Sequence, residues 1–196
     1  MSRLARLPPV VLVNGLPGAG KTTLARVLSQ RLGLPLISKD AIKEAHADVL
    51  GSEPPPGWAQ RRWNAGFGAA ASETMWVLLA DAPGGAVLES CWPTDVRHFV
   101  LRGLQRADCR EPLEIWCEVP PATARARFEA RHPRHPIHGE LLTDAEWQRW
   151  EETARPLGIG PTFRVDTTGP VDTDAVAAWI EQCVQQRVQR WAAPGE

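Results

Sequence analysis

Tyrosine is absent from this chain of 196 residues, methionine occurs twice and phenylalanine four times, so nine tryptophans carry most of the aromatic surface. Each brings a large apolar area with one N–H donor, which suits core and pocket walls. Neither sign of charge is in excess. The formal net charge is −1, so no general attraction to nucleic acid or to an anionic membrane follows. The four cysteines, Cys91, Cys109, Cys117 and Cys183, form no CxxC pair, which argues against a zinc ribbon or a disulfide framework and for buried thiols in a reducing compartment. No apolar run approaches the ~20 residues of a membrane span. The N-terminal apolar run at 9–15 is short, meets Gly15 early and lacks a small-residue cleavage site, so a cytoplasmic protein without membrane attachment is expected.

What is present is an alternation of short apolar runs with helical patterns. Strands are expected at 9–15, 35–38, 86–92, 113–119 and 163–168, most bounded by Gly, Pro or Asp. Helices are expected at 21–33, 40–50, 59–82, 94–107, 121–131, 144–152 and 172–191. In the last of these Val176, Ile180, Cys183, Val184 and Arg187 recur at helical spacing and form one stripe. The alternation implies an α/β fold of three layers, a five-stranded, mostly parallel sheet with helices on both faces. One domain is expected over 1–196. The proline-rich loop 51–58 opens a substrate-side insertion over about 51–80, and the Arg-, His- and Pro-dense loop 131–140 belongs to a lid over about 121–142.

The stretch "VLVNGLPGAGKTTLARVL" (11–28) carries the chemistry. Gly15, Gly20, Lys21 and Thr22 fit G-x-x-x-x-G-K-[ST] between a strand and a helix, the context that this motif needs. Gly15 admits a positive φ, and Gly18 and Gly20 let the backbone approach phosphate oxygens. Main-chain N–H groups from Gly18 through Thr22 then face one concavity at the positive end of the helix. The expected ligand is ATP with Mg²⁺, bound by Gly15, Pro17, Gly18, Ala19, Gly20, Lys21, Thr22 and Thr23, with Lys21 on the β- and γ-phosphates and the Thr22 hydroxyl on the metal. The chain has no N-K-x-D guanine motif. "DAPG" (81–84) precedes a strand rather than following one, so it reads as a turn, and the third strand ends in a single Glu89 instead of an acidic pair.

The segments 15–45 and 125–138 resemble the small P-loop kinases and phosphotransferases: chloramphenicol phosphotransferase, gluconate and shikimate kinases, zeta-toxin-like kinases, polynucleotide 5′-kinases and the AAA-domain ATP-binding kinases. The resemblance implies that Asp40, at the end of the second strand, meets the acceptor hydroxyl as base or orienting group. Asp40 also suits the N-cap of the helix 40–50. Shikimate kinases carry a further acidic residue where this chain has Ser38. Lys43 matches a substrate contact of polynucleotide kinases and equally a solvated helix face. Glu89 is expected to hold a magnesium-bound water, with a buried structural glutamate as the alternative.

The arginine-rich segment follows the fourth strand, where related kinases carry their lid. Arg127 and Arg131, four apart, are expected to share a helix face and to close over the transferring group, with Arg125 pointing elsewhere and Arg134 meeting substrate beyond Pro133. His132, His135 and His138 invite a zinc reading, but Pro133 and Pro136 oppose their alignment and no cysteine or carboxylate cluster completes a site. Lid structure or substrate contact is the reading preferred for them. Trp58, Arg61, Arg62 and Trp63 are expected to help form the acceptor pocket, and 164–169 to pass near the adenine. The resulting expectation is a phosphotransferase with Lys21, Asp40, Arg127 and Arg131 as catalytic residues and Asp40, Lys43, Arg62 and Arg134 on the substrate, a small molecule with a hydroxyl. Two alternatives remain: a polynucleotide 5′-kinase, disfavoured by the net charge, and a regulatory ATPase without an acceptor. A monomer or homodimer is expected.

Overall fold

β1 (Val10–Gly15) is buried along its whole length, as a β-branched run enclosed on both faces must be. Its side chains alternate between two cores. Val11 and Val13 enter one with Leu24, Leu28, Val176 and Ile180, whereas Val10 and Leu12 enter the other with Met75, Trp76, Leu88 and Leu104. Full burial of one such side chain stabilises by roughly 1.5–3 kcal/mol, so β1 anchors both layers. The computed structural model describes residues 8–132, 134–139 and 141–192. Pro133 and Glu140 of the arginine-rich loop lie outside the described residues, as do 1–7 and 193–196 of the expected domain.

After β1 come α1 (Lys21–Leu32), β2 (Leu36–Ser38), α2 (Lys39–Leu50), α3 (Gln60–Ala80) and β3 (Ala86–Glu89). A single 3-10 turn, Thr94–Val96, leads into α4 (Arg97–Arg106), followed by β4 (Leu113–Glu118) and α5 (Pro121–Glu129). A second 3-10 turn, Pro136–His138, precedes α6 (Asp144–Thr153), β5 (Thr162–Asp166) and α7 (Thr173–Ala192). The strands form one sheet in the order β2-β3-β1-β4-β5, parallel at every pairing. All five expected strands are present, and β3 is shorter than expected. It stops at Glu89 because the chain then turns so that the Trp92 N–H and C=O both bond the side chain of Asn14, at 2.9 and 3.0 Å.

α3 falls within the expected substrate-side insertion over about 51–80. Its C-terminal half is a core helix: Met75, Trp76 and Leu79 are buried against β1 and β3. Trp76 lies so close to Gly103 of α4 that a Cβ there would overlap the indole ring. Gly103→Ala is therefore expected to destabilise the fold by about 1–3 kcal/mol through overpacking, read as a lowered midpoint in urea unfolding. An unchanged midpoint would contradict this packing.

Parallel strands send every following loop to one edge. At that edge lie the glycine loop after β1, α2 after β2, Cys91 after β3, α5 after β4 and Thr167 after β5. Among the described residues no helix is long and apolar enough to cross a membrane.

Candidate active site

The glycine loop begins on a rigid support. Asn14 Oδ1 accepts from the Gly15 N–H (2.8 Å), and its amide donates to Glu114 (3.0 Å), which is fully buried and also accepts from the Leu157 N–H (2.8 Å). Burial pushes the Glu114 carboxyl above its usual range, with those donors pulling the other way. β1, β4 and the chain before β5 thus converge beneath the loop. Nothing in the glycine motif points to Asn14 or Glu114; only their place in buried strand runs could have marked them.

Gly15, Gly18 and Gly20 have φ of 148°, 83° and 81°, a region that side-chain-bearing residues rarely adopt. Gly18 is needed for a second reason. A Cβ there would overlap the carbonyl of Ala124 in α5, so the loop is pressed against α5. The Ala19 N–H donates to the Leu16 carbonyl (3.0 Å), which takes it into a turn within the loop instead of the expected concavity. α1 then starts at Lys21 with no side-chain cap and no acid in its first turn. First-turn N–H groups lack intrahelical partners, so this end is suited to an anion.

Lys21 is buried at 6% exposure, and its ammonium donates to the Leu16 carbonyl (2.7 Å). Burial lowers its pKa, but Cys91 and Glu89 outweigh that and leave the group above its ordinary value. The Cys91 thiol is itself pushed up by burial. Glu89, at the end of β3, accepts from Thr22 Oγ1 (3.3 Å) and from Ser38 Oγ (2.6 Å). Hydroxyl and carboxylate oxygens are the hard donors that Mg²⁺ prefers, so Thr22 and Glu89 fit that ion. Among the described residues no group of three or more His, Cys, Asp or Glu could hold a metal.

One pocket is lined by Pro17, Gly18, Gly20, Lys21, Thr22 and Thr23 on the loop side and by Asp40, Glu89 and Cys91 opposite. Phe128, Arg131, His132, Arg134 and His138 cover it from the lid. Asp40 does not cap α2: the helix starts at Lys39 with Ser38 at the cap position, which leaves the half-exposed carboxylate in the first turn, facing the pocket. Lys43 is partly buried, its ammonium pushed down by burial while Asp40 pulls it up, and it is not among the lining residues.

The lid arginines divide. α5 ends at Glu129, so Arg131 lies beyond the helix, its Nε donating to the Arg127 carbonyl (3.0 Å), and the two do not share a helix face. Arg131 lines the pocket. The Arg127 guanidinium instead clamps the carbonyls of Thr167 and Thr168, at 2.8 and 2.7 Å, which ties α5 to the loop after β5. Arg125 pairs with Glu129 and Asp144 (both 2.7 Å). Arg134 approaches Asp40 and Glu44 across the pocket.

The tryptophan cluster is not part of the pocket wall. Trp63 packs with Phe67, Ala47 and Ile137 behind the lid segment, Trp58 stands edge-on to Trp63, Arg62 lies over Trp58 at 4.4 Å, and Arg61 approaches Glu146 at 3.6 Å. Within α3, Trp63 and Phe67 lie four residues apart on one face and pack with Ile137. Cys91, Phe128 and Glu44 were not expected at or beside the site; Glu44 lies one turn after Asp40, which was the available signal.

Comparison with known proteins agrees with this geometry. Residues 10–157 match the family model described as an AAA domain. A shikimate kinase of Symbiobacterium thermophilum is 32% identical over 137 residues, which cover 66% of this chain and 70% of that protein. A Chloroflexus aurantiacus protein provisionally classed as a kinase shares the structure with a TM-score of 0.73 at 28% identity, covering 92% of this chain and 98% of its own. A gluconokinase of Sinorhizobium meliloti shares the fold with a TM-score of 0.58 at 17% identity, over 95% of this chain and 99% of its own. The chain belongs to the AAA-domain family of small P-loop kinases.

Proposed function

We propose that the protein transfers the γ-phosphoryl group of ATP to a hydroxyl of a small molecule. The observation that carries this reading is the meeting, in one pocket, of the glycine loop with Lys21 and a carboxylate, Asp40, from the neighbouring strand end. A nucleotide-binding switch has no need of the second group. The loop amides and Lys21 hold the polyphosphate, and Arg131 meets charge on the transferring group. Thr22 and Glu89 would hold Mg²⁺, which when bound would supply positive charge against the phosphates. Asp40 accepts the acceptor's proton as its oxygen bonds to the γ-phosphorus and the bond to the β–γ bridging oxygen breaks, leaving ADP. Cys91 and the lid residues narrow the pocket and exclude water, which competes as an acceptor.

The curated relative's acceptor, shikimate, belongs to the class proposed here: a small polyhydroxylated molecule. Ser38 donates to Glu89 in this chain, where shikimate kinases carry the acidic residue noted above, so the reading stops at the hydroxyl class. The test is a screen of hydroxylated metabolites, hydroxylated antibiotics and 5′-hydroxyl oligonucleotides with γ-labelled ATP. The label is expected on one small-molecule class, dependent on Mg²⁺. Label on oligonucleotides would make the protein a polynucleotide kinase, and label in inorganic phosphate alone, with every candidate present, would make it a regulatory ATPase.

A further inference from the structure

Two charged strips face each other where the lid meets α2. Asp40, Glu44 and Asp48 recur every fourth residue of α2, so they share one face. Opposite them stand Arg134, His135 and His138. Arg134 Nη1 is 3.8 Å from Asp40 and its Nε 3.4 Å from Glu44; His138 Nε2 is 2.7 Å from Glu44, and His135 Nε2 is 3.1 Å from Asp48. Among the described residues, Glu44 of the three reaches two side chains of that segment, Arg134 and His138, and it is the most enclosed: its side chain is 23% exposed, against 42% for Asp40 and 71% for Asp48. Ile137, between the two histidines, is fully buried against Ala47 and Phe67 with Trp63 beside them, so the segment has an apolar seat as well as a charged one.

We infer that Glu44 is the positioning residue of the acceptor side: it holds His138 and the Nε edge of Arg134, and so keeps the guanidinium fork of Arg134 turned toward Asp40. Both Arg134 distances exceed the ~2.8 Å of a charge-assisted hydrogen bond, so the fork is directed without being saturated and stays available to a ligand. The inference rests on the kinase reading only for its kinetic arm.

Hydrogen exchange of the full-length protein, read on peptides spanning 134–139 and corrected for intrinsic rates, tests it without any substrate. Glu44→Ala is expected to speed exchange there about tenfold, with β1 and α1 unchanged. Glu44→Gln keeps an acceptor for His138 and Arg134 and is expected to recover part of the protection that Glu44→Ala loses. In ATP turnover without added acceptor, Glu44→Ala should lower kcat several-fold and leave the KM for ATP in place. Unchanged exchange at 134–139 in Glu44→Ala, or exchange in Glu44→Gln as fast as in Glu44→Ala, overturns the inference. If Glu44→Ala also loosens β1, His138→Ala is read on the same peptides to the same criterion. Expected exchange without any phosphoryl transfer would keep Glu44's role and remove the kinase reading.

Discussion

Replacing Lys21 with alanine is expected to lower ATP turnover by ~10²–10³-fold, the usual effect of removing one preorganised group from a site where charge develops. The ammonium is already in place: it is buried, held by the Leu16 carbonyl and kept charged beside Glu89. A phosphate entering the concavity therefore meets a desolvated cation with no reorganisation. Without it, the polyphosphate would lie near the Glu89 carboxylate uncompensated, so affinity for ATP should fall together with the rate. Steady-state turnover and titration with a fluorescent ATP analogue would read both. Turnover at the wild-type level would remove Lys21 from the mechanism, whereas the unfolding midpoint distinguishes a folded, inactive variant from a collapsed one.

Asp40→Asn is expected to separate binding from chemistry. The substitution keeps shape and hydrogen-bonding reach but removes the base, for which a ~10²–10⁴-fold loss in transfer is usual. Nucleotide affinity should hold, because Asp40 approaches from α2 while the loop amides come from the β1–α1 turn. The cost to the helix is small, about 0.3–1 kcal/mol for a first-turn acid. The readouts are labelled transfer to the acceptor and the dissociation constant for ATP. Full transfer in the variant would leave Asp40 as part of α2 and no more.

The sheet was legible because a parallel strand buried on both faces is a near-continuous apolar run; the runs starting near Val10 and Ala86 are that, and the run from Leu113 is broken by Glu114. The glycine loop was legible for a related reason: its backbone conformation needs glycine at 15, 18 and 20, and those positions announce themselves. What sequence could not supply was pairing across distance. Arg127 and Arg131 look equivalent at four-residue spacing, yet Arg127 meets carbonyls 40 residues later and Arg131 does not. α5, which meets the glycine loop through Ala124 and α6 through Phe128, ends at Glu129 and so separates them. Asp40, expected to meet the acceptor hydroxyl, also suited the N-cap because aspartate favours caps; the helix begins one residue earlier, behind Ser38, whose hydroxyl is turned to Glu89 instead. Cys91 read as filler because thiols usually are, and its place beside Lys21 depends on the turn after β3 that Asn14 holds.

A crystal structure with Mg²⁺ and a non-hydrolysable ATP analogue tests the central claim most directly. The expected result is a polyphosphate lying along the amides of Gly18 and of Gly20 to Thr22, its terminal phosphate between Lys21 and Arg131, and the Asp40 carboxylate across the gap. A nucleotide bound elsewhere, or Asp40 turned out of the cleft with the lid closed, would contradict it.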